Sequence, residues 1–173
     1  ERKLLIKTHQ LSFIVNILKI DNQSKDEFCS IKEIPMEEVK VVYALIKSKC
    51  NQILMVDNHE GHWSLPGGRV KHDETLIEAA IREVHEETGF EVEIGNLIAV
   101  NEAKYVKRNH HAILFTFEAR IVGGTEVITK PQEILQIEWV DIEQANERMP
   151  YYSEGVNKMP TGYALYNNQG IIE

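Results

Sequence analysis

The sequence is poor in cysteine and has no long apolar run. Its two cysteines, Cys29 and Cys50, are too few and too far apart for a disulfide framework or a CxxC zinc site. The most apolar early stretch, residues 11–20, is interrupted by polar residues and is far shorter than the ~20 residues of a membrane span. It also lacks the small-residue cleavage site of a signal peptide. We therefore expect a cytoplasmic protein without a membrane partner.

An excess of positive charge is also missing. The formal net charge is −8 at pH 7, whereas nucleic-acid-binding surfaces neutralise phosphates with clustered Lys and Arg. We expect no nucleic acid as a partner, although a small anionic substrate is compatible with acidic side chains if metal ions bridge the two. A chain of 173 residues can bury one core without disulfides. We predict one domain, residues 37–173, preceded by an N-terminal extension, residues 1–36.

Periodicity and turn residues predict alternating strands and helices. Residues 39–46 and 53–56 are typical of a hairpin, and residues 63–65 of a short strand before a Pro-Gly-Gly turn. The spacing predicts a helix over 75–88, strands over 90–94, 97–100, 112–122 and 135–140, and a second helix over 142–148 capped by Asp141. Residues 11–20 fit a strand or a helix, and we favour a strand. The order indicates an α/β sandwich with a mixed sheet and helices on its faces.

The first predicted helix carries three carboxylates on one face. Glu83, Glu86 and Glu87 stand at i, i+3 and i+4, where like charges repel unless a cation offsets them. Hard divalent ions such as Mg²⁺ bind carboxylate oxygens together with substrate phosphates. The alternative is a solvated acidic face. Beside the carboxylates runs an apolar stripe that includes Ile77 and Ile81, which we expect to pack on the sheet.

Paired glycines stand just before this helix. Gly67 and Gly68 allow a tight turn that exposes backbone groups to a metal or a phosphate, and Glu74 stands at the start of the helix. A turn of this kind beside a carboxylate-bearing helix favours a metal site over a solvated face.

The whole segment resembles the Nudix box. Gly68 is followed by five residues and then by Glu74, and seven residues separate Glu74 from Arg82-Glu83-Val84. Single residues then separate this triplet from Glu86-Glu87 and that pair from Gly89-Phe90. Every defining position of the Nudix box is filled. The resemblance covers roughly residues 39–150. It implies a Nudix-like α/β/α sandwich with a catalytic loop-helix-loop. It also implies Mg²⁺, with Mn²⁺ as a substitute, and hydrolysis of a phosphoanhydride bond in a nucleoside diphosphate linked to another moiety.

The resemblance also implies a role for each matching residue. The metal ligands would be Glu83, Glu86, Glu87 and the carbonyl of Gly67, while Arg82 would orient Glu83. Gly68, Glu74 and Gly89 would support the loop-helix-loop. Members of the family take their general base from the box or from a later loop, so we hypothesise that the base is Glu86 or Glu133.

The substrate branch stays open between a nucleotide sugar, a dinucleoside polyphosphate, ADP-ribose and an oxidised or normal nucleoside triphosphate. A basic, aromatic-flanked patch offers candidate contacts for such a small nucleotide, namely Lys104, Tyr105 and Arg108. A catalytically weak nucleotide-binding or sensor module is the alternative function. The apolar residues 11–20 also raise the hypothesis that residues 1–36 mediate a homodimer or close over the substrate.

Overall fold

The computed structural model describes residues 35–59, 61–159 and 164–172, with the backbone alone for residues 165–171. The strand favoured for residues 11–20 and the role proposed for the extension lie outside the described residues. Eight strands and two α-helices follow in the described part of the chain. The strands are β1 (Glu37–Ile46), β2 (Ile53–Asp57), β3 (Trp63–Ser64), β4 (Gly67–Arg69), β5 (Phe90–Tyr105), β6 (His110–Gly124), β7 (Gln136–Val140) and β8 (Leu165–Ile172). The helices are α1 (Leu76–Thr88) and α2 (Ile142–Arg148).

The strands form a mixed five-stranded sheet and a smaller three-stranded sheet. In the large sheet the order is β4-β1-β6-β5-β8, in which β1–β6 and β5–β8 are parallel pairs and the others are antiparallel. The small sheet has the order β3-β2-β7 and is antiparallel throughout. The predicted mixed sheet is confirmed, and β8 is a strand that the sequence patterns did not indicate.

The hairpin predicted for residues 39–46 and 53–56 is wrong, although both strands exist. Both edges of β1 are occupied by β4 and by the ten-residue parallel pairing with β6. β2 pairs instead with β3 and β7, and it approaches the end of β1 only through one bridge between Lys47 and Ile53. The short polar turn therefore redirects the chain from one sheet into the other.

Helix α1 covers one face of the large sheet with small residues. Ala79 and Ala80 pack on Val42 and Phe117, while Ile77 is 48% exposed and Ile81 is 40% exposed. The expectation that these two isoleucines pack on the sheet is therefore wrong. Alanines allow the helix backbone to approach the sheet closely, and the packed face is rotated toward the glutamates.

Helix α2 lies on the opposite face of the large sheet. Its Ala145 and the following C-cap residue Met149 belong to a buried cluster with Leu45 and Ala99, whose side chains point away from α1. Asp141 accepts a hydrogen bond from the Gln144 amide and caps α2 as predicted. The α/β/α sandwich is confirmed. Within the described residues, neither helix is long and apolar enough to cross a bilayer.

Candidate functional site

The caps of α1 fix the helix that carries the box glutamates. Thr75 accepts a hydrogen bond from the Glu78 amide, and the Glu78 carboxylate accepts one from the Thr75 amide, which completes a capping box. At the other end Gly89 adopts a left-handed conformation and donates to the His85 carbonyl. The helix therefore begins and ends where the sequence indicated.

The tight turn predicted at Gly67 and Gly68 is wrong, because a bend at Pro66 leads directly into β4 and both glycines pair with β1. This bend and its glycine pair, called the glycine turn below, lie directly against two buried glutamates. Glu83 and Glu87 are only 8% and 4% exposed. The Gly67 amide donates to Glu87 Oε2 at 2.8 Å, and a Cβ on Gly68 would lie 2.7 Å from the Glu83 carboxyl carbon. Glycine at position 68 is thus required by the close approach of a carboxylate, which gives a local physical reason for the Gly-Gly pair.

Arg82 connects the start of the loop-helix-loop to its carboxylates. Its guanidinium donates to both oxygens of Glu74, through Nε at 2.5 Å and Nη2 at 2.7 Å. Its Nη1 donates to Glu83 Oε1 at 2.6 Å and to Glu86 Oε2 at 3.3 Å. Glu74 also accepts from the Lys71 amide. The arginine therefore holds Glu83 at the glycine turn and fastens the preceding loop to α1.

Glu86 shares the Arg82 Nη1 group with Glu83 and forms its shortest ion pair with Lys130. The Lys130 ammonium donates to Glu86 Oε2 and lies 3.5 Å from Glu133 Oε2. Lys71 Nζ is 3.6 Å from Glu86 Oε1. Sequence reasoning identified Glu133 but missed Lys130, which is 44 residues from its partner along the chain. Its position three residues before Glu133 was the signal that could have pointed to it.

The surroundings of the carboxylates shift their pKa values in different directions. Burial raises the pKa of Glu87 to about 8; the Gly67 hydrogen bond opposes the rise and the negative charge of Glu83 adds to it. The Lys130 hydrogen bond lowers the pKa of Glu86. Hydrogen bonds from Arg82 hold the pKa of Glu74 down to about 2. Glu87 is thus a carboxyl group whose charged form a cation beside it would favour.

The three box glutamates do not converge on one point. Within the described part of the chain, no three or more His, Cys, Asp or Glu side chains come together closely enough to hold a metal ion. Glu83 and Glu87 both face the glycine turn, whereas Glu86 accepts a hydrogen bond from the Lys130 ammonium. Two buried carboxylates supply the hard oxygen donors that Mg²⁺ shares with substrate phosphates. The donor set therefore fits a divalent ion through Glu83 and Glu87 first.

Glu83 and Glu87 line a cleft of about 1020 Å³, which we call the carboxylate cleft. Its lining joins the glycine turn, α1 and the segment between β6 and β7, and it includes Gly67, Gly68, Glu74, Glu83, Glu87, Lys130 and Glu133. Glu133 has a side chain that is 56% exposed. The structure thus brings the loop glutamate predicted from sequence to the same cleft as Glu83 and Glu87, whereas Glu86 is not part of the lining.

A second cavity, of about 870 Å³, adjoins this cleft and shares Gly67, Gly68 and Arg69 with it. We call it the aromatic cavity. Its aromatic lining consists of Tyr43, Trp63, Tyr105 and Tyr151. Arg108 lies at the same cavity, as the sequence suggested for a substrate contact.

The predicted basic patch is divided between two faces. Tyr105 and Arg108 line the aromatic cavity, but Lys104 is exposed at a neighbouring position of β5 and is absent from the lining of both cavities. Successive side chains of a strand point to opposite faces, which explains the separation of Lys104 from Tyr105. Sequence reasoning missed Tyr43 and Tyr151, because their convergence depends on strand pairing and on the segment after α2.

A mixed sheet between two helices, with glutamates buried against a glycine turn, is the arrangement expected from the resemblance of the sequence to the Nudix box. The family model described as the NUDIX domain matches residues 36–157. The chain belongs to the Nudix family.

Similar proteins give the same assignment. The chain is 35% identical over 105 residues to the human 8-oxo-dGDP phosphatase NUDT18, a match that covers 57% of this chain and 31% of that protein. It is 29% identical over 115 residues to a MutT-like protein of Streptomyces ambofaciens, covering 66% and 71%. The crystal structure of the MutT protein from Methanosarcina mazei Go1 superposes with a TM-score of 0.56 at 26% identity, covering 66% and 85%. The chain therefore spans about a third of the human relative's length.

Proposed function

We propose that this domain hydrolyses, with Mg²⁺, a phosphoanhydride bond in a small nucleotide in which a nucleoside diphosphate is linked to another moiety. One observation carries the proposal. Glu83 and Glu87 are buried side by side against the Gly67-Gly68 turn, at the point where the carboxylate cleft meets the aromatic cavity. Arg82 pairs with Glu83, whereas Glu87 accepts a hydrogen bond from the neutral Gly67 amide, so this buried pair has carboxylate oxygens suited to a divalent ion that also binds an anion.

Glu83, Glu87 and Glu86 would hold the ion, with the carbonyl of Gly67 as the backbone ligand. When bound, Mg²⁺ or Mn²⁺ would polarise phosphoryl oxygens, neutralise developing charge and acidify water. Arg82 keeps Glu83 at the glycine turn through its hydrogen bond, and Glu74 keeps Arg82 in position. Both residues therefore act by orientation.

A carboxylate must accept the proton of the attacking water. Glu86 and Glu133 are the two candidates, and both lie within reach of the same ammonium group. Glu133 is more exposed and lines the cleft, which gives it access to water beside a bound phosphate. We keep both residues as alternatives, because a single substitution at each separates them.

The nucleoside or the linked moiety would occupy the aromatic cavity. Tyr105 offers a ring surface for stacking, as does the face of Trp63 that the Arg148 guanidinium does not cover. Arg108 offers a guanidinium for an anionic group. The shared residues Gly67 and Gly68 connect this cavity directly to the cleft, so a nucleotide could span both. Lys104, which lines neither cavity, is the weakest of the three proposed contacts.

A nucleotide panel with product identification by mass tests the proposal. We expect wild type to release a nucleoside monophosphate or a related pair of phosphates only when Mg²⁺ or Mn²⁺ is present. Glu86→Gln should reduce kcat by at least about a hundredfold. Glu133→Gln should do the same if Glu133 is the base, and near-normal turnover would exclude that role. If wild type and Glu86→Gln are equally inert on every nucleotide, the alternative, a nucleotide-binding or sensor module, replaces the enzyme.

A further inference from the structure

Lys130 holds a position that the proposed reaction does not explain. Its ammonium donates to Glu86 and approaches Glu133 at 3.5 Å, and its side chain is only 25% exposed. The ammonium therefore lies between the Glu86 and Glu133 carboxylates. A lysine here places a positive charge at a carboxylate that Arg82 and Lys71 also approach and that the proposed function assigns to a divalent ion.

The segment that carries Lys130 is attached to the end of α1 by further hydrogen bonds. The Thr129 hydroxyl donates to the Glu86 carbonyl, and the Val127 amide donates to the Thr88 carbonyl at 2.9 Å. The amides of Glu133 and Ile134 both donate to the Lys130 carbonyl, each at 2.9 Å. The turn that presents Glu133 is therefore built on the same residue whose ammonium contacts Glu86.

We propose that Lys130 is an internal counter-ion that competes with the divalent cation for Glu86 and, in the metal-free protein, holds the Glu133 turn on α1. The inference rests on the proposed function only in taking Glu86 as a metal ligand. A divalent ion at Glu86 repels the ammonium and removes its main partner, so metal binding and release of the Lys130 contact are coupled. Lys130 is thus a positioning residue for Glu133, and its charge lowers the affinity of the site for metal.

Binding of Mn²⁺, followed from the EPR signal of the free ion, tests this coupling without turnover. Lys130→Met removes the charge and keeps an apolar stem of similar length. We expect its Kd for Mn²⁺ to be about five- to tenfold lower than that of wild type, which corresponds to about 1–1.4 kcal/mol. Lys130→Arg, which keeps the charge, should stay within about twofold of wild type.

Lys71→Met is the matched control, because it makes the same change of net charge beside the same carboxylate. Lys71 Nζ lies 3.6 Å from Glu86 Oε1 on a side chain that is 58% exposed, so its Kd should change by less than about twofold. An unchanged or higher Kd in Lys130→Met would overturn the proposal. An equal decrease of the Kd for Mn²⁺ in both lysine variants would also overturn the proposal. The effect would then come from the change in net charge near Glu86 and not from the Lys130 contact.

Hydrogen exchange provides the second readout. Adding Mg²⁺ to wild type should speed amide exchange at Glu133 and Ile134, and Lys130→Met should exchange fast there without metal. Amide exchange that is unaffected by both changes would contradict the proposal that Lys130 holds the Glu133 turn on α1. These results are separable from the proposed function, since a protein that binds Mn²⁺ as described but cleaves no nucleotide would refute hydrolysis and leave the counter-ion role intact.

Discussion

Substitution of Gly68 should lower mainly the activity, whereas substitution of Gly67 should lower mainly the stability. A Cβ at position 68 would lie 2.7–2.9 Å from the three terminal atoms of the Glu83 carboxylate. Ordinary carbon contacts are at about 3.5–4.0 Å, so the carboxylate must retreat by roughly 0.7 Å in Gly68→Ala. The obstructing group is the end of a side chain, which can move. We expect the free energy of unfolding to fall by only about 1 kcal/mol.

The catalytic effect of Gly68→Ala should be much larger than its effect on stability. Arg82 and the buried surroundings hold Glu83 against this displacement, so the carboxylate settles away from its proper position. Displacement of a catalytic group by up to 1 Å can cost about a hundredfold in rate, and we expect kcat to fall by about 10- to 100-fold. The Kd for Mn²⁺ should rise in parallel, because Glu83 is one of the two carboxylates that face the cleft.

At the preceding residue the obstruction is backbone. A Cβ on Gly67 would lie 2.0 Å from the Val42 carbonyl oxygen in β1, which cannot retreat without breaking the pairing with β4. We expect Gly67→Ala to cost about 3 kcal/mol or more. The exposed Gly95 is the control, because its nearest heavy atom would be at 3.5 Å and Gly95→Ala should change stability by less than about 1 kcal/mol.

Urea unfolding and steady-state kinetics on the three variants measure these effects. The reasoning is refuted if Gly68→Ala retains wild-type kcat and metal affinity, since the close contact with Glu83 would then have no functional meaning. It is also refuted if Gly68→Ala lowers the free energy of unfolding as much as Gly67→Ala does. A contact with the movable Glu83 side chain would then cost as much as a contact with the Val42 backbone.

Two further substitutions test the electrostatic and hydrogen-bonding account. Because the folded pKa of Glu74 is depressed to about 2 from 4.5, its contribution to stability is fully present above pH 4.5 and is lost as the pH falls toward 2. Glu74→Gln should therefore be less stable than wild type at pH 7, and the difference should shrink between pH 4.5 and 2 in acid-unfolding curves; a difference that stays constant would contradict the assignment. The buried Tyr152 hydroxyl lies 2.7 Å from Thr116 Oγ1, so Tyr152→Phe should cost about 1–2 kcal/mol in urea unfolding by leaving the threonine unpaired. Tyr151→Phe, the neighbouring control, should cost less, and equal losses would show that the hydrogen bond contributes nothing measurable.

The local signals of the sequence were sufficient for α1 and its turn. Thr75, Glu78 and Gly89 specify the ends of the helix through contacts within a few residues, and the same short range relates Arg82 to Glu83. Such contacts follow from helical spacing and from capping chemistry, so they can be predicted without knowledge of the tertiary fold.

Features that depend on long-range pairing could not be predicted in this way. Residues 90–94 and 97–100 belong to one strand, β5, because register shifts against β6 accommodate Gly95 and Asn96 without ending the strand. Ile77 has the spacing of a buried residue, but the sheet meets the alanine face of α1. The contact of Lys130 with Glu86 likewise exists only because the segment after β6 returns to the end of the helix.

The central claim is that the buried pair Glu83 and Glu87 makes this domain a metal-dependent phosphoanhydride hydrolase. Its most direct test is hydrolysis in H₂¹⁸O, with and without Mg²⁺, by wild type and by the double variant Glu83→Gln/Glu87→Gln. We predict that wild type incorporates one labelled oxygen into one phosphate product only when Mg²⁺ is present, and that the double variant, although folded, incorporates none. Labelled product formed at the wild-type rate by the double variant, or by wild type after complete metal removal, would contradict the claim.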